Sequence, residues 1–254
     1  MEKKGIVTMC IGKNFESISK ITFPIFRTYA QRISADFYHI ENKKYTLEYP
    51  NIPIFYEVYQ LYDLLDIYDR IIYLDIDAII NFKCPDLFQI IPREFVGAYI
   101  VDGFTSRHDK DMLDIQKEYG DLNWTSGYFN AGVMIISKQH KEIYNLENGI
   151  FIGTYSNQTQ LNYNVKKFNY KTFDIGYRNN HTIASNNSAM RFRSNIIHYA
   201  GRGHINNKNT IEQIRSDWDI LSKLHEKKDR KTIIKIKIAE SIFTLKQKFK
   251  NLYV

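Results

Sequence analysis

Arg70-Ile71-Ile72-Tyr73-Leu74-Asp75-Ile76-Asp77 is the stretch that decides how this chain is read. The apolar run 71–74 has the composition of a buried strand. Asp75 and Asp77 close it at i and i+2, which puts both carboxylates on one face of the sheet. Like charges held that close repel unless a cation sits between them, so the pair points to a hard divalent ion. The ion in turn points to a phosphate ligand. Two aspartates after an apolar run also suit a solvated turn, so their neighbours in sequence must decide.

Upstream, residues 5–10 read as a buried first strand and residues 16–33 as a helix that Pro24 kinks or splits. Residues 35–40 read as a second strand. Ile54, Phe55, Val58, Leu61, Leu64 and Leu65 keep helical spacing, predicting an amphipathic helix up to Tyr68. Downstream, residues 97–101, 132–137 and 195–199 read as further strands. Strands alternating with helices predict an α/β fold with a mostly parallel sheet. Such sheets bind ligands at the carboxyl ends of their strands, where the Asp pair lies. The polar stretch 102–127, with Gly103, Gly120 and Gly127, reads as a mobile loop region. Asp102 and Asp121 within it are acids that sequence cannot tell from a catalytic base.

The 254 residues are 44% hydrophobic, enough for a sizeable core. No stretch approaches 18 consecutive apolar residues, and Lys3 and Lys4 precede no secretory-type segment. Cys10 and Cys84 make no disulfide framework and suit a reducing compartment. The net charge of +7 is not spread evenly. Residues 222–254 carry ten Lys or Arg against three acids, which is the entire excess. A nucleic-acid enzyme would surround its working groove with basic residues, so nucleic acid is excluded as a partner. The chain divides into a body, 1–221, and a basic tail, 222–254.

Four segments then fall in order: Tyr73-Leu-Asp-Ile-Asp77, Tyr128-Phe-Asn-Ala-Gly-Val-Met-Ile-Ile-Ser137, Ser156-Asn-Gln-Thr-Gln-Leu-Asn162 and Asn195-Ile-Ile-His-Tyr-Ala-Gly-Arg-Gly-His204. Over roughly residues 5–204 they resemble the family 8 glycosyltransferases, retaining hexosyltransferases that include glycogenin and bacterial lipopolysaccharide galactosyltransferases. The first helix, with Tyr29-Ala-Gln-Arg32, also looks like bacterial and viral members of the wider GT-A superfamily.

The resemblance implies a GT-A fold: a Rossmann-like, mostly parallel sheet flanked by helices. It implies a UDP-sugar donor and a divalent metal, Mn²⁺ or Mg²⁺, held by Asp75, Asp77 and His198. Asn130 matches the position that binds donor sugar hydroxyls, with Ala131 and Gly132 leaving the sugar room. Gln158 matches a residue near the reaction face. Asn157 stands where relatives have Asp; an amide cannot act as a nucleophile, which argues against double displacement. Gly201, Arg202 and His204 match a diphosphate-binding loop in which many relatives carry Lys at the place of His204. Relatives also carry a basic residue near Val58 or Tyr59, where this chain has none. Thr8 and residues 12–15 fall where the uracil and ribose would dock. The expected activity is transfer of a hexose, galactose or glucose, to a hydroxyl of a surface polysaccharide or lipopolysaccharide glycan.

Two rivals stand beside it. A sugar nucleotidyltransferase would want a Gly-rich basic loop after the first strand, of which Gly12-Lys13 is a poor version. A nucleotide-sugar-binding scaffold without catalysis would explain the departures at Asn157 and near Val58. In the tail, Ile234, Ile238, Ile242, Leu245, Phe249 and Leu252 form one face of a helix. Lys231, Lys235, Lys246 and Lys250 lie beside it. Basic amphipathic helices bind anionic membrane surfaces, so the expected location is the cytoplasm, at the inner face of the membrane. The same face could instead pack on the domain or on a second subunit. The sequence leaves oligomeric state open.

Overall fold

In the computed structural model, the structure describes residues 2–147, 149–183, 188–201 and 209–226, and positions 234, 238 and 241 beyond them. Strand β1 (Lys4–Met9) leads through a 3₁₀ turn into helix α1 (Glu16–Arg32) and strand β2 (Asp36–Ile40). A short helix α2 (Tyr45–Glu48) and a 3₁₀ segment, Ile54–Gln60, precede helix α3 (Leu61–Ile67) and strand β3 (Arg70–Leu74). After β3 come β4 (Ala78–Ile80), α4 (Leu87–Ile90), β5 (Phe95–Ile100), α5 (Ser106–Tyr119) and β6 (Phe129–Ser137). The rest is α6 (Ser156–Lys167), β7 (Lys171–Asp174), β8 (His181–Thr182), β9 (Ile196–His198) and α7 (Thr210–His225).

The main sheet has the order β2-β1-β3-β6-β5-β7. β1 runs parallel to β2 and β3, and β5 parallel to β7; β6 alone runs antiparallel to its neighbours β3 and β5. The expected α/β architecture with a mostly parallel sheet is therefore observed. Alternate residues of the central strands feed two apolar layers. Ile6, Ile72 and Leu74 pack on the α1 side, while Val7, Ile71 and Tyr73 pack on the α3 side. A second sheet, β4-β9-β8, stands at the carboxyl end of β3.

Two expectations change and one alternative falls away. Of the two alternatives for Pro24, the split does not occur: α1 continues to Arg32. Residues 54–60 are 3₁₀, not α, and they are not one-sided: Tyr56, Glu57, Val58 and Tyr59 are all buried in succession. The stretch 102–127 is not a loop throughout, since α5 occupies its middle. The buried positions of α5 are His108, Asp111, Met112, Ile115 and Gln116, a helical i, i+3, i+4, i+7, i+8 stripe in which three of the five are polar. Hydropathy periodicity cannot register such a face. Cys10 and Cys84 are free thiols, as expected.

α7 packs on the body. Ile214 and Leu221 are buried, and so is Asp217, which takes a two-pronged contact from Arg191 and hydrogen bonds from Tyr199 and Gln213. The helix continues past Leu221 to His225, whose ring stacks on Phe82 at 4.3 Å. Most of the expected tail lies outside the described residues; the described Ile234 and Ile238 side chains are about half exposed.

Candidate active site

β3 ends at Leu74, and Asp75 follows where the chain leaves the sheet; its peptide N–H donates to Gly132 of β6. The chain turns through Asp77 into β4. β4 pairs antiparallel with β9 so that Ala78 lies opposite His198, and the N–H of Tyr199 donates to the Asp77 carbonyl at 3.0 Å. This ladder delivers the third residue to the Asp pair across more than a hundred residues of chain.

The result is a compact cluster. His198 Nε2 lies 3.3 Å from Asp75 Oδ2 and 3.4 Å from Asp77 Oδ1. One ligand atom from each residue falls within 4.8 Å of the others, and this is the group of metal-ligand type found among the described residues. Tyr73, two residues before Asp75, donates its hydroxyl to Asp75 Oδ1 at 2.9 Å. His198 is buried while both carboxylates are partly exposed, so the site opens toward solvent on the carboxylate side. Burial opposes charge on His198, but Asp77 and Asp75 outweigh it and raise the pKa to about 10. Without a metal, then, Nε2 carries a proton that the carboxylates share. A cation binding there takes that proton's place. Two carboxylate oxygens and one imidazole nitrogen at these spacings fit a divalent ion.

Gly132 forms the wall of this cluster. A Cβ on it would stand 2.0 Å from His198 Cε1 and 2.7 Å from Asp75 Oδ2. Its lack of a side chain makes room for the ligands themselves, a role sequence reading assigned to sugar space. The neighbouring Asn130 and Ala131 occupy a bulge: opposite β5, the register steps from Met134↔Ala98 to Asn130↔Tyr99. The backbone N–H groups of Ala131 and Gly132, released from the β5 ladder, donate to Gln158 Oε1 at 3.0 Å and Asn130 Oδ1 at 3.0 Å. Gln158, in the first turn of α6, also accepts from Asn130 Nδ2 and donates to the Tyr128 hydroxyl.

The structure thus brings Asp75, Asp77, His198, Asn130, Ala131 and Gln158 together. Asn157 lies beside Gln158, its carbonyl accepting from the Tyr59 hydroxyl at 3.2 Å. Thr8 is buried in β1, and its hydroxyl has no hydrogen-bond partner among the described residues. Gly201 has the left-handed φ of +76° that favours glycine. Arg202 and His204 lie outside the described residues. Asp102 and Asp121 prove to have backbone duties: Asp102 accepts from the N–H groups of Gly127 and Tyr128, and Asp121 from that of Asn123. One residue was missed entirely. Asn180 is fully buried between His198 and Asn130 and bonds to both. Nothing in Tyr177-Arg-Asn-Asn-His181 distinguishes it from a turn residue.

Residues 4–240 match glycosyl transferase family 8, which is nearly the whole chain. The chain belongs to that family. Solved structures agree on the fold of this family 8 glycosyltransferase. The WbbM bifunctional glycosyltransferase in its apo form superposes with a TM-score of 0.57 at 15% identity, over 85% of this chain and 51% of that one. This chain therefore spans about half of that protein. A glycosyltransferase involved in glycosylation of the major capsid of PBCV-1 gives 0.55 at 12% identity, over 84% and 98%. The galactosyltransferase LgtC, in complex with donor and acceptor sugar analogs, gives 0.52 at 16% identity, over 84% and 94%. No curated protein matches the chain. Among the described residues, no helix of this family 8 member is long and apolar enough to cross a membrane.

Proposed function

We propose that this glycosyltransferase moves a hexose, galactose or glucose, from a UDP-sugar to a hydroxyl of a glycan acceptor in surface polysaccharide or lipopolysaccharide synthesis. The observation that carries the reading is the convergence of Asp75, Asp77 and His198 at the carboxyl end of β3. These residues would hold Mn²⁺, or less suitably Mg²⁺, which when bound neutralises charge on the departing nucleoside diphosphate.

The chain's own residues do the rest. Asn130 has both Oδ1 lone pairs engaged, by Gly132 N–H and Asn180 Nδ2, and one of its two Nδ2 hydrogens given to Gln158. It keeps one N–H for a sugar hydroxyl. Gln158 likewise has Oε1 filled twice and keeps one N–H. Both amides therefore meet the sugar as donors. The loop with Gly201, Arg202 and His204 supplies donors to the diphosphate, and the fully buried Thr8 would reach the nucleoside only after its neighbours shift. Asn157 assists sugar binding, and its amide makes it no nucleophile, which suits retaining transfer by attack on the face the leaving group departs. The tail, 222–254, docks the enzyme on the anionic cytoplasmic face of the membrane.

The test is a thermal-shift screen of nucleotide sugars against the full chain with Mn²⁺ or with chelator. A true donor stabilises the native state by RT ln(1 + [L]/Kd). A Mn²⁺-dependent shift with a UDP-hexose, followed by turnover of that donor, supports the reading. The absence of a shift with any UDP-sugar overturns it. A shift without turnover favours the scaffold reading, for which Asn157 is the motivating departure.

A further inference from the structure

Six hydrogen bonds run from the metal cluster through the protein to α5. His198 Nδ1 meets Asn180 Oδ1 at 3.0 Å, and Asn180 Nδ2 meets Asn130 Oδ1 at 2.9 Å. Asn130 Nδ2 meets Gln158 Oε1 at 3.2 Å, and Gln158 Nε2 meets the Tyr128 hydroxyl at 3.3 Å. Tyr128 meets Thr159 Oγ1 at 2.8 Å, and Thr159 meets Asp111 Oδ2 at 3.2 Å.

The direction of every bond can be deduced from three fixed points. Backbone N–H groups can only donate. Gly132 N–H faces one end of the Asn130 amide, which must therefore be its oxygen. Ala131 N–H fixes the oxygen of Gln158 in the same way. The Asn180 atom facing Asn130 Oδ1 is then a nitrogen, so the Asn180 atom facing His198 is an oxygen. An oxygen there requires Nδ1 of His198 to carry the hydrogen, whatever the state of Nε2. At the other end, Asp111 accepts the N–H groups of Thr154 and Tyr155 as well as the Thr159 hydroxyl. Thr159 therefore donates to Asp111, and Tyr128 donates to Thr159. All six bonds point from His198 to Asp111. Bonds aligned this way polarise one another and strengthen the chain as a unit.

We propose that Asn180 is a positioning residue with two outputs: it fixes the His198 ring with Nε2 toward the metal, and it fixes the Asn130 amide so that only N–H faces the donor sugar. The proposal rests on the reading of Asp75, Asp77 and His198 as a metal site. Outer-shell partners that orient a ligating histidine typically contribute 10- to 100-fold to metal affinity. Asn180 does so with its oxygen and has its nitrogen left for the sugar side. A leucine of similar size removes both outputs. An aspartate keeps an acceptor for His198 but puts oxygen against oxygen at Asn130, which escapes that contact by rotating its amide and so losing the Gly132 bond.

The test compares Asn180→Leu and Asn180→Asp with the wild type. Mn²⁺ affinity in the presence of UDP is read by electron paramagnetic resonance, and KM is read for the UDP-hexose that the wild type turns over. Asn180→Leu should weaken Mn²⁺ binding about 10- to 100-fold and raise KM. Asn180→Asp should restore Mn²⁺ affinity to within about threefold of wild type, as expected of a retained outer-shell acceptor, while KM stays raised. If Asn180→Leu does not fold, the split in Asn180→Asp alone decides the matter. Equal loss of both readouts in Asn180→Asp, or loss of neither, overturns the two-output role. Failure of the wild type itself to bind Mn²⁺ with UDP is a different result, which overturns the metal reading beneath it.

Discussion

Ala78 of β4 and His198 of β9 face each other across an antiparallel pair, so the residue after Asp77 is in register with the third member of the cluster. Backbone pairing, and not a flexible loop, sets the spacing of the three side chains. Sites built on regular elements hold geometry better than sites on loops. The small β4-β9-β8 sheet thus acts as a clamp that closes residues 196–198 onto the end of β3.

From this follows a first expectation. Asp77→Ala should abolish Mn²⁺-dependent UDP binding while leaving the fold intact, since its backbone carbonyl still receives Tyr199 N–H. In the wild type, metal must displace the proton on His198, whose pKa Asp77 and Asp75 raise to about 10 against the effect of burial. Calorimetry in buffers of differing ionisation enthalpy should therefore show about one proton released per metal bound near pH 7.5. No released proton would mean that His198 is not a ligand.

Gly132 offers a steric test of the same cluster. Gly132→Ala places a Cβ 2.0 Å from His198 Cε1. Neighbouring atoms must move, at a cost on the order of 1–3 kcal/mol for overpacking. Metal binding should fall more than stability, because the displaced atoms belong to the ligands. A variant that binds Mn²⁺ and UDP like the wild type would show that the ring is placed otherwise.

What was legible in the sequence, and what was not, follows a physical division. The strand into Asp75 and the carboxylates two residues apart show as local patterns, because an apolar run is written in consecutive residues; His198 comes only with the family resemblance of residues 195–204. Asn180 does not show, since its role exists only after β8 and β9 have carried it between His198 and Asn130. Helix α5 escaped because His108, Asp111 and Gln116 sit on its buried face. Two of these polar groups are satisfied by backbone N–H groups outside the helix: Asp111 by the distant Thr154 and Tyr155, and Gln116 by Leu122 and Trp124 in the loop that follows. Ile54, Val58 and Leu61 step by four and three, which is α spacing, so periodicity points to α where the chain is 3₁₀.

A third expectation concerns acid stability. His140 is buried, accepting Ser137 N–H at Nδ1, with its Nε2 against the Glu94 carbonyl. Burial, reinforced by the charge of Arg70, lowers its pKa to about 4. The unfolded chain protonates this group near 6.5, so between those values the unfolded state binds more protons. Its stabilising effect is whole above pH 6.5 and is lost as pH falls toward 4, by about 2 kcal/mol at pH 5. Urea unfolding of His140→Gln should show a stability decline from pH 8 to 5 shallower than the wild type by that amount. Parallel profiles would show that His140 titrates alike in the folded and the unfolded chain.

Asp217 is a fourth test, of the docking of α7. Its side chain is fully buried and Arg191 nearly so, in a two-pronged pair of 2.7 and 2.9 Å. Removing one partner of such a pair leaves an uncompensated charge, at about 3–5 kcal/mol. Asp217→Ala should lose that much in urea unfolding, and with it the bond from the hydroxyl of Tyr199, next to His198. A loss under about 1 kcal/mol, the range of exposed pairs, would place the pair in solvent.

The last expectation separates body from tail. A division at residue 221 falls inside α7, which runs to His225 and stacks that ring on Phe82. The informative cut therefore comes after Glu226. Residues 227–254 hold nine Lys or Arg against two acids, so this cut removes the whole net charge of +7. The shortened chain should keep its Tm and its Mn²⁺-dependent UDP binding, because the cluster at β3 and the pair at Asp217 lie upstream. On vesicles containing anionic lipid it should bind far more weakly than the full chain, since each basic residue near such a surface contributes about 1 kcal/mol. Raising salt should erase most of the full chain's advantage. Equal vesicle binding by the two chains would refute docking through the tail. A collapse of Tm on truncation would show that Ile234, Ile238 and their neighbours pack on protein instead.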